Sequence, residues 1–359
     1  MPAKAQCLHS DRRLYSDIER IDNELRERGV AAGAQLTAPQ LFAIDSLHYE
    51  GDAAVEAGIA SCGLTAASAV LDIGAGLGGP ARFMAHTAGC RVCAVELQAD
   101  VHAKGRELTQ RCGLGELVSH VHGDILSCDL SGLGDGPGSF DAVASWLTFL
   151  HIPDKHALLT SCAAMIKPGG ALYAEDFFAR GTFTPAEERS LSADVFCKEL
   201  PTRQEYIDTL TACGFVDIVF EERTEPWTEF VDDRFRKFEL GRERFVRVHS
   251  EATYDSLHHF YSAMRALFRG GNLGGVRISA SKKAAEQSEQ PTKRQKGAAG
   301  EGPRCEHGTA DGCTGVGVTM VDIVLGGMSR GQVPMCAACA QDHALNYEQA
   351  EDYGEGDDY

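Results

Sequence analysis

No apolar run in this chain is long enough to cross a membrane. Met1–Arg13 lacks the apolar core of a secretory signal, so the chain is expected to be cytoplasmic. Basic residues are in deficit: 34 Lys and Arg stand against 52 Asp and Glu, a net charge of -18. A surface of that sign repels a phosphate backbone, which counts against nucleic acid as a partner. The thirteen cysteines form no regular framework over the first 280 residues and read as reduced, small core residues. There is no internal repeat, and nothing specifies an oligomeric state.

What the chain does have is one dense glycine loop, Val70-Leu71-Asp72-Ile73-Gly74-Ala75-Gly76-Leu77-Gly78-Gly79-Pro80. An apolar strand ends beside an acid, turns through glycines and enters a helix, the pattern of a nucleotide site. Gly74, Gly76 and Gly79 fit the dinucleotide spacing, whereas Gly74, Gly76 and Gly78 fit that of S-adenosylmethionine sites. Strands and helices alternate over 67–283. Strands are expected at Ala69–Ile73, Arg91–Glu96, Val118–His122, Phe140–Ser145, Ala171–Asp176, Val216–Glu222 and Val276–Ser279. Helices are expected near Pro80–Thr87, Gln98–Arg111, Lys155–Ile166, Gln204–Ala212, Asp232–Val248 and Glu251–Leu267. Residues 1–66 read as a helical lid, with Leu14, Ile18, Ile21 and Leu25 on one helical face. Helices at Pro39–Ser46 and Ala53–Ser61 follow. Residues 284–303 have a linker's composition, and 304–359 hold a Cys/His-rich segment with an acidic tail.

Three acids bear on the cofactor. Asp72 sits at the mouth of the loop, where it would repel a pyrophosphate but welcome a sulfonium and an ammonium. Glu96 ends the next strand, where an acid accepts from ribose hydroxyls of either cofactor. Asp124, in Gly123-Asp124-Ile125, can accept from an adenine amino group while Ile125 and Leu126 pack on the ring.

With these features the chain resembles the class I S-adenosylmethionine-dependent methyltransferases. The matching segments are VLDIGAGLGGPARFMA (70–85), CAVELQ (93–98), HGDIL (122–126), FDAVASWLTFLHIPDKHAL (140–158) and IKPGGALYAEDF (166–177). The resemblance implies an α/β fold: a doubly wound, seven-stranded Rossmann-like sheet whose last strand is antiparallel. A helical N-terminal lid and a small Cys/His-rich C-terminal appendage flank it. It implies cofactor contacts from Asp72, Gly74, Gly76, Glu96, Gln98, Asp124 and Ile125, with Ser145 and Trp146 at the methionine end.

Within that family the chain looks most like the branch holding sarcosine/dimethylglycine, phosphoethanolamine and ubiquinone-type enzymes. Leu47-His48-Tyr49-Glu50-Gly51 matches a lid piece bearing tyrosine and glycine, and Thr184–Leu200 matches a helical insertion over the substrate. The resemblance implies a small-molecule methyl acceptor. The expected acceptor is an amine of sarcosine/dimethylglycine type or a related zwitterion. A quinone or sterol methylated on oxygen or carbon is the alternative, and a scaffold with an interaction tail is a second. His151 is the candidate base. The phosphoethanolamine enzymes, as aligned, place a histidine where this chain has Phe149. Tyr49, Trp146, Phe177, Phe178 and Phe196 are candidate cage rings for a cation. Glu175 or Asp176 is a candidate for pairing an ammonium, and Arg203 for holding a carboxylate or forming a helix-end salt bridge.

In the appendage, Cys305, His307, Cys313, Cys336, Cys339 and His343 have ligand-like spacing. A structural zinc held by Cys305, Cys313, Cys336 and Cys339 is one reading, and a cysteine-bearing tail is the other. Val316–Leu325 reads as a strand and Gly326-Gly327 as a turn. The Lys282-Lys283 and Lys293–Lys296 pair reads as linker charge rather than an import signal.

Overall fold

The computed structural model of the chain describes residues 18–46, 48–284, 319–325 and 328–335. Seven strands form one sheet: β1 (Ala69–Ile73), β2 (Arg91–Glu96), β3 (Val118–His122), β4 (Phe140–Trp146), β5 (Ile166–Ala179), β6 (Phe215–Glu222) and β7 (Leu273–Lys282). Their order is β3-β2-β1-β4-β5-β7-β6, with β7 antiparallel to both its neighbours. The doubly wound reading and its antiparallel last strand are both borne out.

The layers follow from strand alternation. Val70, Val92, Ala142, Ala144 and Tyr173 pack on one face with α3 (Asp52–Cys62) and α4 (Gly79–Ala88). Leu71, Ile73, Cys93, Val95, Val143 and Leu172 pack on the other, with α6 (Lys155–Met165) and α8 (Arg203–Ala212). Two N-terminal helices precede the sheet, α1 (Glu19–Glu27) and α2 (Ala38–Asp45). Ile21 and Leu25 of α1 are buried with Val101 and Leu108 of α5 (Ala99–Arg111). Leu14, the first residue of the expected helix, lies outside the described residues. A third, aromatic-rich cluster joins α7 (Pro185–Ala193), α9 (Thr224–Leu240) and α11 (Glu251–Gly270) to the ends of β5 and β7.

Three elements differ from expectation. The helix read as Asp232–Val248 is two, α9 and α10 (Arg242–Val248), broken at Gly241. Helix α9 begins eight residues earlier than read because Pro226 lies in its first turn, where a missing N–H costs nothing. Strand β7 is longer than Val276–Ser279, and Gly274 and Gly275 near its start are packing residues. A Cβ on Gly275 would sit 2.0 Å from the Trp227 ring, so glycine there lets the indole lie against the sheet. Strand β5 runs through Pro168-Gly169-Gly170, where its register with β4 shifts.

The C-terminal strands form a separate two-stranded antiparallel sheet, β8 (Thr319–Leu325) with β9 (Met328–Met335). The expected strand is thus present from Thr319. The expected turn at 326–327 and the cysteines 305, 313, 336 and 339 lie outside the described residues. Among the described residues no group of three His, Cys, Asp or Glu is arranged to hold a metal ion. No described helix is long and apolar enough to cross a membrane.

Candidate active site

The sheet reverses its winding between β1 and β4, and the carboxyl ends of parallel strands open there into a crevice. A cleft with about 1390 Å³ of empty space, part of it open to solvent, occupies this place. Its walls are the glycine loop after β1, the ends of β2 and β3, and the segment from Trp146 to Ile152 after β4. Asp45 and His48 from the N-terminal region and Phe196 and Lys198 from the insertion complete it.

The loop's shape is held from below. Gly74, Gly76 and Gly78 all have positive φ, which glycine adopts at no steric cost. The N–H groups of Gly74 and Ala75 donate to the Val95 carbonyl at 2.9 and 3.0 Å. Glu96 Oε2 accepts the Gly76 N–H at 2.9 Å, and its Oε1 accepts the Gln98 N–H at 2.8 Å. Thr148 Oγ1 donates to the Gly74 carbonyl, and a Cβ at Gly74 would collide with it at 2.2 Å. Loop, β2 and the segment after β4 are therefore one fastened unit.

Asp72 lies at the bottom of this unit, 1% exposed, and its Oδ2 has no hydrogen-bond partner. Burial, with Glu96 adding repulsion, pushes its carboxyl up to about 8. A buried acid without a partner is costly unless a donor or cation arrives. Glu96, Gln98, Asp124 and Ile125 line the same cleft as expected. Asp124 Oδ1 accepts the Leu126 N–H at 2.9 Å, which fixes its carboxylate beside Ile125.

Trp146, Thr148, His151, Phe196 and Lys198 also line the cleft. Burial drives the His151 imidazole down to about 4, so it is neutral at physiological pH. Its Nδ1 faces the Phe196 carbonyl at 3.4 Å, and a carbonyl only accepts, so Nδ1 carries the proton and Nε2 the lone pair. Asp154, the alternative partner, instead caps α6 through the Ala157 N–H. Lys155, buried under this turn, donates to the carbonyls of Phe149 and Ile152 and so fixes the backbone that carries His151.

Several candidates are not part of the cleft wall. Ser145 turns inward and donates to the Ile73 carbonyl at 2.8 Å, tying β4 to β1. Glu175 is fully buried, and its Oε1 accepts from Arg277, whose Nη2 lies 2.8 Å away, and from the Tyr173 hydroxyl, while its Oε2 has no hydrogen-bond partner. Tyr49 and Phe177 pack with Trp227 and Phe268 in the aromatic cluster. Phe178 packs edge-on against Phe220. Arg203, first residue of α8, lies 5.1 Å above the Phe220 ring. Asp176 accepts the Tyr206 hydroxyl at 3.0 Å.

Four polar wall residues were not candidates in the sequence, although His48 falls in the expected lid piece: Asp45, His48, Thr148 and Lys198. His48 is buried, its Nε2 meets the Gly51 carbonyl at 2.9 Å, and burial lowers its imidazole to about 4. Asp45 did leave a sequence signal, because an acid in a helix's last turn opposes the macrodipole and needs another partner.

The cleft lies at the β1/β4 switch point, with the Asp72 Oδ2 unpartnered under the glycine loop, an arrangement that suits a positively charged cofactor better than a pyrophosphate. Residues 71–174 match the family described as "Methyltransferase domain". That match spans 71–174 only, under half of the chain. The chain is 27% identical over 207 residues to sarcosine/dimethylglycine N-methyltransferase of Halorhodospira halochloris, which covers 58% of this chain and 71% of that protein. It is 28% identical over 202 residues to phosphoethanolamine N-methyltransferase 1 of Triticum aestivum, 56% of this chain but only 39% of the wheat protein. In fold it is similar to phosphoethanolamine N-methyltransferase 2 of Haemonchus contortus in complex with phosphomonomethylethanolamine and S-adenosylhomocysteine. The TM-score is 0.61 at 21% identity, over 74% of this chain and 60% of that one.

Proposed function

We propose that this cleft binds S-adenosylmethionine and that the chain transfers its methyl group to the nitrogen of a small amine that also carries an anionic group. The residues fit the cofactor. The orphaned Asp72 Oδ2 suits an ammonium donor, and Asp124 with Ile125 suits an adenine edge and face. Glu96 keeps further lone pairs for ribose hydroxyls. When bound, the cofactor supplies an electrophilic methyl group on a positively charged sulfur.

The observation that supports a nitrogen acceptor is the pair of aromatic rings on the cleft wall, Trp146 and Phe196; the neutral His151 on the same wall serves a hydroxyl or carbon acceptor equally well. A secondary amine reacts through its neutral form, and His151 Nε2 is the acceptor available on this wall for its N–H. The Trp146 face attracts the cationic nitrogen that forms. Lys198 supplies a positive charge on the same wall for a carboxylate or phosphate. The small-amine names of the relatives from Halorhodospira and wheat support this reading. Incubating the chain with the cofactor and separate panels of zwitterionic amines, quinols and sterols tests it: methylated amine supports it, and methylated quinol or sterol alone refutes it. Zinc in the appendage is a separate proposal resting on cysteine spacing, tested by the metal content of the purified chain.

A further inference from the structure

We infer that Asp45 of α2 is a further cofactor-binding residue, held on the cleft wall by Arg82 and accepting a hydrogen bond from an ammonium or hydroxyl of the bound nucleoside at its Oδ1. The inference rests on the cofactor reading above.

Asp45 lines the cleft, is 2% exposed, and its Oδ1 is buried without a hydrogen-bond partner. Its other oxygen is committed. Arg82, fully buried, donates from Nη2 to Asp45 Oδ2 at 2.6 Å and to the Leu77 carbonyl of the glycine loop at 2.7 Å. Arg82 Nη1 reaches the Gly105 carbonyl and Thr109 Oγ1 on α5. One guanidinium thus binds the loop, α5 and the acid from α2 together.

The loop is also shaped to admit the acid. A Cβ on Gly79 would lie 2.9 Å from the Asp45 carbonyl oxygen and 3.0 Å from its Oδ1. Gly79 has no positive φ, so its glycine is explained by this approach rather than by backbone conformation. Buried carboxylate oxygens are almost always hydrogen-bonded. A charge-bearing oxygen left free on a ligand wall, with its twin fastened, is arranged for a donor that arrives with the ligand.

Two double variants isolate Oδ1. Arg82→Met with Asp45→Asn removes the ion pair but keeps an amide oxygen in place. Arg82→Met with Asp45→Leu removes both charge and oxygen. Removing a buried pair together avoids stranding one charge. Titration calorimetry of each full-length variant with S-adenosylhomocysteine is expected to show a Kd within about tenfold of wild type for the first. The second is expected to lose at least a further tenfold. Equal Kd values for the two variants would overturn the proposal. Hydrogen exchange on the wild type gives a measurement that needs no variant: exchange in peptides covering 38–46 is expected to slow on binding S-adenosylhomocysteine, and unchanged exchange there would overturn it. A wild type that binds no S-adenosylhomocysteine at all would instead sink the cofactor reading itself.

Discussion

Glu96 Oε2 accepts the backbone N–H of Gly76 at 2.9 Å, so the acid at the end of β2 is a strut for the glycine loop of β1 as well as a candidate nucleotide ligand. Its Oε1 accepts a second backbone N–H, from Gln98. Glutamine cannot serve both amides, because its NH₂ group would meet an N–H. Glu96→Gln is therefore expected to weaken S-adenosylhomocysteine binding about tenfold, by calorimetry. Its melting temperature should fall by only a few degrees.

Asp72 links binding to pH. Its carboxyl titrates at about 8 in the fold against an ordinary 3.8. The folded chain thus holds a proton that the unfolded chain releases at about pH 4. Stability from that proton is complete below about pH 4 and is lost as pH rises through about 8. Asp72→Asn should match wild type near pH 5, exceed its melting temperature above pH 8, and lose cofactor binding about a hundredfold. Wild-type binding at pH 7 should release a proton, seen as a buffer-dependent calorimetric enthalpy.

His151 lies low, at about 4 against an ordinary 6.5. Stability from its neutral state is present above pH 6.5 and erodes as pH falls toward 4. His151→Asn is expected to lower kcat about a hundredfold with little change in the KM for the cofactor. It should also lose less stability than wild type between pH 6.5 and 4.

Glu175 and Arg277 make a buried pair, with Glu50 Oε2 3.4 Å from the same guanidinium. Arg277→Met alone strands Glu175 and is expected to cost about 3–5 kcal/mol in denaturant unfolding. Adding Glu175→Gln should recover much of that loss. The KM for the amine should barely move in the double variant, since Glu175 is absent from the cleft wall.

Gly74 has φ of +70° and no room for a Cβ beside Thr148. Gly74→Ala should destabilise by about 1–3 kcal/mol from backbone strain alone. Adding Thr148→Ala should restore only the steric part of the loss.

The strands were legible in the sequence because each is a short apolar run ended by a turn signal. Asp72 and Glu96 were legible because an acid at the end of a buried strand needs a partner. Tyr49, Phe177 and Glu175 lie off the cleft wall for a physical reason. Successive residues of a strand alternate faces, and the partners that claim Phe177 and Glu175, Trp227 and Arg277, lie in later elements of the chain. The insertion was expected over the substrate, but nothing singled out Lys198 within it, and only tertiary packing brings Asp45 of α2 to the cleft.

The most direct test is mass spectrometry of small amines incubated with the chain and S-adenosylmethionine bearing a trideuterated methyl group. The account predicts a labelled product from a secondary or tertiary amine carrying a carboxylate or phosphate, in wild type and not in Asp72→Ala. Label found only in quinols or sterols, or in an amine at an equal rate in Asp72→Ala, would contradict it.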